Sequence, residues 1–210
     1  MRVLTHVTTH TTHTTHTTHT TLHNYTTYSR PARTLILATE NNEANRKTWR
    51  GLLFSTPNLG NYVSGAILFD ETLFQDHPDG GSHVAKLKAQ GIIPGIKVDM
   101  GLFPLSGGLA GETVCTGLDG LAARAAKYYE QGARFCKWRT ALKIDVAAGA
   151  PSNLAVQEAA WGLARYARIT QEAGLCPIVE PEILMDGEHD IETTAAVQER
   201  VIAAVYKVRG

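Results

Sequence analysis

The sequence predicts an α/β protein on a parallel sheet, a piece of a (β/α)8 TIM barrel, after an irregular N-terminal tract. From about Ala38 onward, helix-length segments alternate with short apolar runs of strand length, which is the pattern of βαβ units. That cadence alone also fits a doubly wound sheet. Two observations favour the barrel. No G-x-G-x-x-G or G-x-x-x-x-G-K-S/T phosphate loop follows a strand, and charged residues gather at strand C-terminal ends, where barrel active sites lie.

Residues 1–37 are set apart from the predicted domain at 38–210. From Thr8 to Thr21 the chain cycles Thr-Thr-His, placing His10, His13, His16 and His19 three residues apart. A period of three matches neither an amphipathic helix nor a half-buried strand, and Thr is a poor helix former. The tract reads as disordered low-complexity sequence. A translated nucleotide repeat accounts for it. Weak binding of a transition metal by the spaced histidines is a sharper alternative. A transit peptide is a third: no acidic residue precedes Glu40, and Arg2, Arg30 and Arg33 stand among hydroxyl residues. The regular repeat and the lack of an amphipathic stretch argue against it.

The elements then follow in order. Glu43 to Phe54 reads as a helix with an apolar stripe of Trp49, Leu52 and Leu53. Ser64 to Phe69 is a strand, and Ser82 to Gln90 a helix ended by Gly91. Ile92 to Val98 is the second strand, followed by a glycine-rich loop and a helix from Leu118 to Gln131. Phe135 to Arg139 is the third strand. Ser152 caps a long helix to Ala173. Cys176 to Glu180 is the fourth strand, and Asp190 caps a last helix to about Val208.

Composition narrows the partners. Twenty Lys+Arg balance twenty Asp+Glu, so no net field favours nucleic acid or an anionic membrane. Any phosphate site must therefore be local. No apolar run approaches the roughly 20 residues that cross a bilayer, so a soluble chain is expected. Cys115, Cys136 and Cys176 are odd in number and widely spaced, forming neither a disulfide framework nor a zinc pattern; they read as reduced thiols of an intracellular protein.

The strand ends carry the candidate chemistry. Residues two apart on a strand point the same way, so Lys137 and Arg139 share one face and Cys136 and Trp138 the other. Buried cations need anions. The next strand offers Glu180 and Glu182, and the one before ends in Lys97 and Asp99. Such coupled acid and base groups are how one site moves protons near neutral pH; a buried salt-bridge network without chemistry is the alternative. Gly187-Glu188-His189-Asp190 reads as a polar turn, not a metal site. Trp138 and Trp161 read as core, and His77 and His83 as part of a polar turn with no role.

Long strings across about Ala38 to Lys207 resemble class I fructose-bisphosphate aldolase. They include ENNEANRKTWRGLLF, GAILFDETLFQ, GIIPGIKVD, GETVCTGLDGLAARAAKYYEQGARFCKWR, GLARYA, and PIVEPEIL with DGEHDIE. The resemblance implies a lyase of glycolysis and gluconeogenesis that cleaves fructose 1,6-bisphosphate to dihydroxyacetone phosphate and glyceraldehyde 3-phosphate. It uses a lysine Schiff base and neither cofactor nor metal. Position by position, it implies that Glu180 is the general acid/base, that Lys137 keeps the Schiff-base lysine deprotonated, and that Glu182 orients the site. Lys97 and Arg139 would hold substrate phosphate. The family often forms homotetramers and occurs in cytoplasm or, alternatively, chloroplast.

The departures are equally specific. The family's Leu-Leu-Lys-Pro-Asn string, which bears the Schiff-base lysine, and its Ala-Ala-Asp-Glu-Ser string do not occur, and Met100 stands where the family usually has lysine. The resemblance implies that about strands two to five of the barrel are present with their helices, and the chain alone is therefore expected to be inactive, and poorly folded, aggregating or dependent on a partner fragment. A non-catalytic sugar-phosphate-binding or scaffold protein derived from aldolase is the alternative.

Overall fold

The computed structural model describes residues 40–208; the Thr/His tract and the boundary at residue 37 lie outside the described residues. Helix α1 (Glu43–Phe54) starts where the Asn42 side chain accepts from the Asn45 N–H. Strand β1 (Gly65–Leu68) leads into α2 (Asp70–Phe74) and α3 (His83–Ala89), the latter capped by Ser82. Next come β2 (Ile93–Lys97), β3 (Leu102–Pro104), β4 (Thr113–Cys115) and α4 (Leu121–Gln131). The chain continues through β5 (Phe135–Leu142), α5 (Asn153–Glu172), β6 (Cys176–Ile183) and α6 (Ile191–Val208).

Strands β1, β2, β5 and β6 pair in that order, all parallel. The expected glycine-rich loop after β2 instead contains the antiparallel β3–β4 hairpin, and α4 begins at Leu121 rather than Leu118. Strands β5 and β6 run three residues beyond Arg139 and Glu180.

Alternation along β5 sorts the two faces of the sheet. Cys136 and Trp138 turn outward, where Trp138 stacks on Tyr166 of α5 with ring centroids 5.5 Å apart. The Tyr166 hydroxyl lies 2.8 Å from the Cys136 carbonyl and 3.1 Å from that of Ile178, so one side chain joins β5 to β6. On the inner face the Phe135 ring covers Gly65 and Gly95; a Cβ has no room at Gly95 and would be tight at Gly65.

Three sequence readings are corrected. The buried face of α1 is Arg50, Gly51 and Phe54, while Trp49 and Leu52 are exposed. The reason is local: Gly51 lets Pro78 approach within the space a Cβ would occupy, and Arg50 finds Glu71 as a counter-ion. Trp161 is not core but 57% exposed on α5. His77 and His83 are buried, not part of an open polar turn. The His77 Nε2 sits 3.0 Å from Ser55 Oγ and 3.2 Å from the Gly51 carbonyl, and the His83 ring packs edge-on against Phe54 and His77.

Candidate active site at the strand ends

The register of the central strands assembles the charged residues. Lys97 of β2 lies opposite Lys137 of β5, and Arg139 of β5 opposite Glu180 of β6. Because side chains two apart share a face, Lys97, Lys137, Arg139, Glu180 and Glu182 all project to the side opposite Trp138. All five predicted residues are brought together there.

Each cation meets a carboxylate. Lys137 Nζ is 3.0 Å from Glu180 Oε2, with the lysine side chain 5% and the glutamate 31% exposed. A lysine that deep requires a counter-charge. Arg139 forms a two-point fork on Glu182: Nη2 donates to Oε1 at 2.9 Å, and Nε donates to Oε2. The Glu182 hydrogen bond pushes the Arg139 pKa up against the effect of burial. Lys97 Nζ donates to Asp99 Oδ1 at 2.6 Å and to the Asp99 carbonyl at 3.1 Å. Asp99 Oδ1 also accepts from the Gly101 N–H at 3.2 Å, while its buried Oδ2 has no hydrogen-bond partner. Met100 beside it is exposed.

Residues with no sequence-level signal support this rim. Glu112 is 4% exposed and accepts from the Ser152 N–H, the Ser152 hydroxyl and the Leu109 N–H. Burial alone would raise its pKa, but these donors carry it below the usual carboxylate range. It thereby ties the hairpin loop to the start of α5. Thr113 donates to the Ala141 carbonyl at 3.1 Å, fastening β4 to the end of β5. Arg124 of α4 donates to the Val98 and Gly117 carbonyls. The Cys115 thiol beside the cluster is pushed far up by burial, and next by the charge of Asp99. A small cavity lined by Cys115, Trp138, Thr140 and Gly162 lies between β4, β5 and α5, on the other face from the charged rim. Among the described residues no group of three or more His, Cys, Asp or Glu could hold a metal ion, and no helix is long and apolar enough to cross a membrane.

A parallel sheet flanked by helices, with a lysine–glutamate pair on the inner face of β5 and β6, defines a protein of the (β/α)8-barrel class. The family model for class I fructose-bisphosphate aldolase matches residues 26–209. Fructose-bisphosphate aldolase 2, chloroplastic, of Pisum sativum is 59% identical over 170 residues, covering 81% of this chain and 48% of that protein. Fructose-bisphosphate aldolase 1 of Toxoplasma gondii is 60% identical over 173 residues, covering 81% of this chain and 47% of that protein. A co-crystal structure of the Plasmodium falciparum aldolase with TRAP and a small-molecule inhibitor superposes with a TM-score of 0.82 at 51% identity, covering 85% of this chain and 51% of that one. The chain belongs to the class I fructose-bisphosphate aldolase family, and it spans about half the length of the curated relatives it matches.

Proposed function

We propose that this chain carries the proton-transfer and phosphate-holding part of a class I aldolase centre. The reaction would be reversible cleavage of fructose 1,6-bisphosphate to dihydroxyacetone phosphate and glyceraldehyde 3-phosphate. The observation that carries the reading is the Lys137–Glu180 contact at 3.0 Å. It is a buried ammonium against a partly exposed carboxylate on the inner face of adjacent strands.

In this reading Glu180 gives and takes the protons that accompany carbinolamine formation and loss of water. Lys137 repels the positive charge of a neighbouring Schiff-base amine, which favours the neutral nucleophile, and it stabilises negative charge that develops on substrate oxygen. Glu182 holds Arg139 through the two-point fork. Arg139 and Lys97 take phosphate, the guanidinium by paired hydrogen bonds and the ammonium as a point charge. No Leu-Leu-Lys-Pro-Asn string occurs in the 210 residues, so this polypeptide taken alone would lack the lysine that forms the iminium in the family. Its function alone would be to bind sugar phosphate. Residues 38–210 would be the barrel domain, in the cytoplasm or, as several relatives are named chloroplastic, in a plastid. Homotetramer assembly would follow the family.

Borohydride trapping tests the reading. The chain is incubated with dihydroxyacetone phosphate, reduced and weighed by mass spectrometry, and binding of fructose 1,6-bisphosphate is followed in parallel by calorimetry. The expected result is binding without a covalent adduct, with Arg139→Met weakening the binding about tenfold or more. A stoichiometric adduct on one lysine would overturn the inactivity of the isolated chain. Absence of any sugar-phosphate binding would overturn the site.

A further inference from the structure

We propose that Asp99 is a positioning residue for phosphate binding, acting through Lys97; this rests on the sugar-phosphate reading above and adds a residue to it. A lysine ammonium carries three donors on a flexible stem, so a strand-end lysine ordinarily samples many places. Lys97 does not have that freedom. Two of its donors go to a single residue, one to Asp99 Oδ1 at 2.6 Å and one to the Asp99 carbonyl at 3.1 Å. The Phe69 ring, at the end of β1, flanks the ammonium with its centroid 5.7 Å away. The third donor is the one a ligand oxygen can take.

Asp99 is itself fixed. Its side chain is 4% exposed, and Oδ1 accepts from the Gly101 N–H at 3.2 Å, which pins the carboxylate to the loop after β2. That loop is in turn held by Arg124, which donates to the Val98 carbonyl at 3.0 Å. The ion pair with Lys97 brings the carboxylate to the face that carries Lys97 and Arg139. The Arg139 pKa, raised chiefly by its Glu182 hydrogen bond, is raised also by the charge of Asp99. Through Oδ1 and its carbonyl, Asp99 holds Lys97 in place for an incoming anion, so the ordering entropy of the lysine is met on folding rather than on binding.

A double-mutant cycle separates this role from general support of the fold. Affinity for fructose 1,6-bisphosphate is measured by calorimetry on the full 210-residue chain and on Asp99→Asn, Lys97→Met and the double variant, with thermal unfolding of each. Asp99→Asn is expected to weaken binding roughly tenfold, and to cause little or no further loss in the Lys97→Met background. The same cycle with inorganic phosphate is expected to give the same pattern. Equal losses from Asp99→Asn with and without Lys97 would overturn the proposal, as would unchanged or tighter binding by Asp99→Asn.

A ligand-free arm keeps the two readings apart. Acetylation of Lys97, followed by peptide mass spectrometry, is expected to be several-fold faster in Asp99→Asn than in wild type. An unchanged rate would overturn the restraint of Lys97 by Asp99. If wild type binds no sugar phosphate, the functional reading fails, while the acetylation arm still decides whether Asp99 restrains the lysine.

Discussion

His83 has a consequence that can be followed with pH. Its ring is fully buried, and neither nitrogen has a hydrogen-bond partner. Burial first, and then the charges of His77 and Arg50, lower its pKa from about 6.5 to about 4. Between those values the unfolded chain binds the proton and the folded chain does not. The contribution to stability is therefore complete above pH 6.5 and is lost as pH falls toward 4. Replacing the ring with His83→Leu leaves no orphaned nitrogen, so stability at pH 7 is expected to change by no more than about 1 kcal/mol. Urea midpoints measured from pH 7 to pH 4 are expected to fall less steeply in the variant than in the wild type. Parallel slopes would show that His83 does not titrate as described. The burial of His77 and His83 was not legible in the sequence, because Pro78, Gly80 and Gly81 give that stretch the composition of an open turn. The shared faces at the strand ends were legible, since two-residue spacing in KVD, KWR and EPE settles which side chains point together; Glu180 beside Lys137 was expected, whereas the Arg139–Glu182 fork was not.

The elements show where sequence periodicity is informative and where it fails. The long segments were readable because capping residues bound them: Ser152 and Asp190 both accept the expected N–H groups. The three-residue strands β3 and β4 were not, since strands that short carry no period and glycines surround them. In α1 the apolar stripe was misplaced because the buried position is an arginine with a carboxylate partner rather than an apolar side chain. Packing also explains the glycines under Phe135. A Cβ on Gly95 would stand 2.4 Å from the ring of Phe135, its register partner. Gly95→Ala is therefore expected to destabilise the fold by about 1–3 kcal/mol, measured by urea unfolding. Phe135→Leu in the same chain is expected to recover part of that loss. A fully additive double variant would mean that the two positions do not share this space.

At the scale of the whole molecule, β1 and β6 each pair on one side only among the described residues. Open parallel edges carry unpaired N–H and C=O groups and invite another chain. Self-association of the 210-residue chain at micromolar concentration is the expected outcome by sedimentation velocity. A monomer with one cooperative transition, and a urea slope suited to roughly 170 folded residues, would contradict it. The parallel sheet was readable from its repeated strand–helix cadence, and the barrel only with the charged strand ends and the missing phosphate loop; its edges depend on pairing between distant segments, which local patterns do not encode.

The one-to-one matching of Lys97, Lys137 and Arg139 with Asp99, Glu180 and Glu182 has a further effect on how a ligand arrives. A rim whose charges cancel over a few ångströms projects almost no potential beyond a Debye length. A phosphate-bearing anion would then reach it by unaided diffusion, and discrimination would begin only on contact, at the Lys97 donor that Asp99 leaves unengaged.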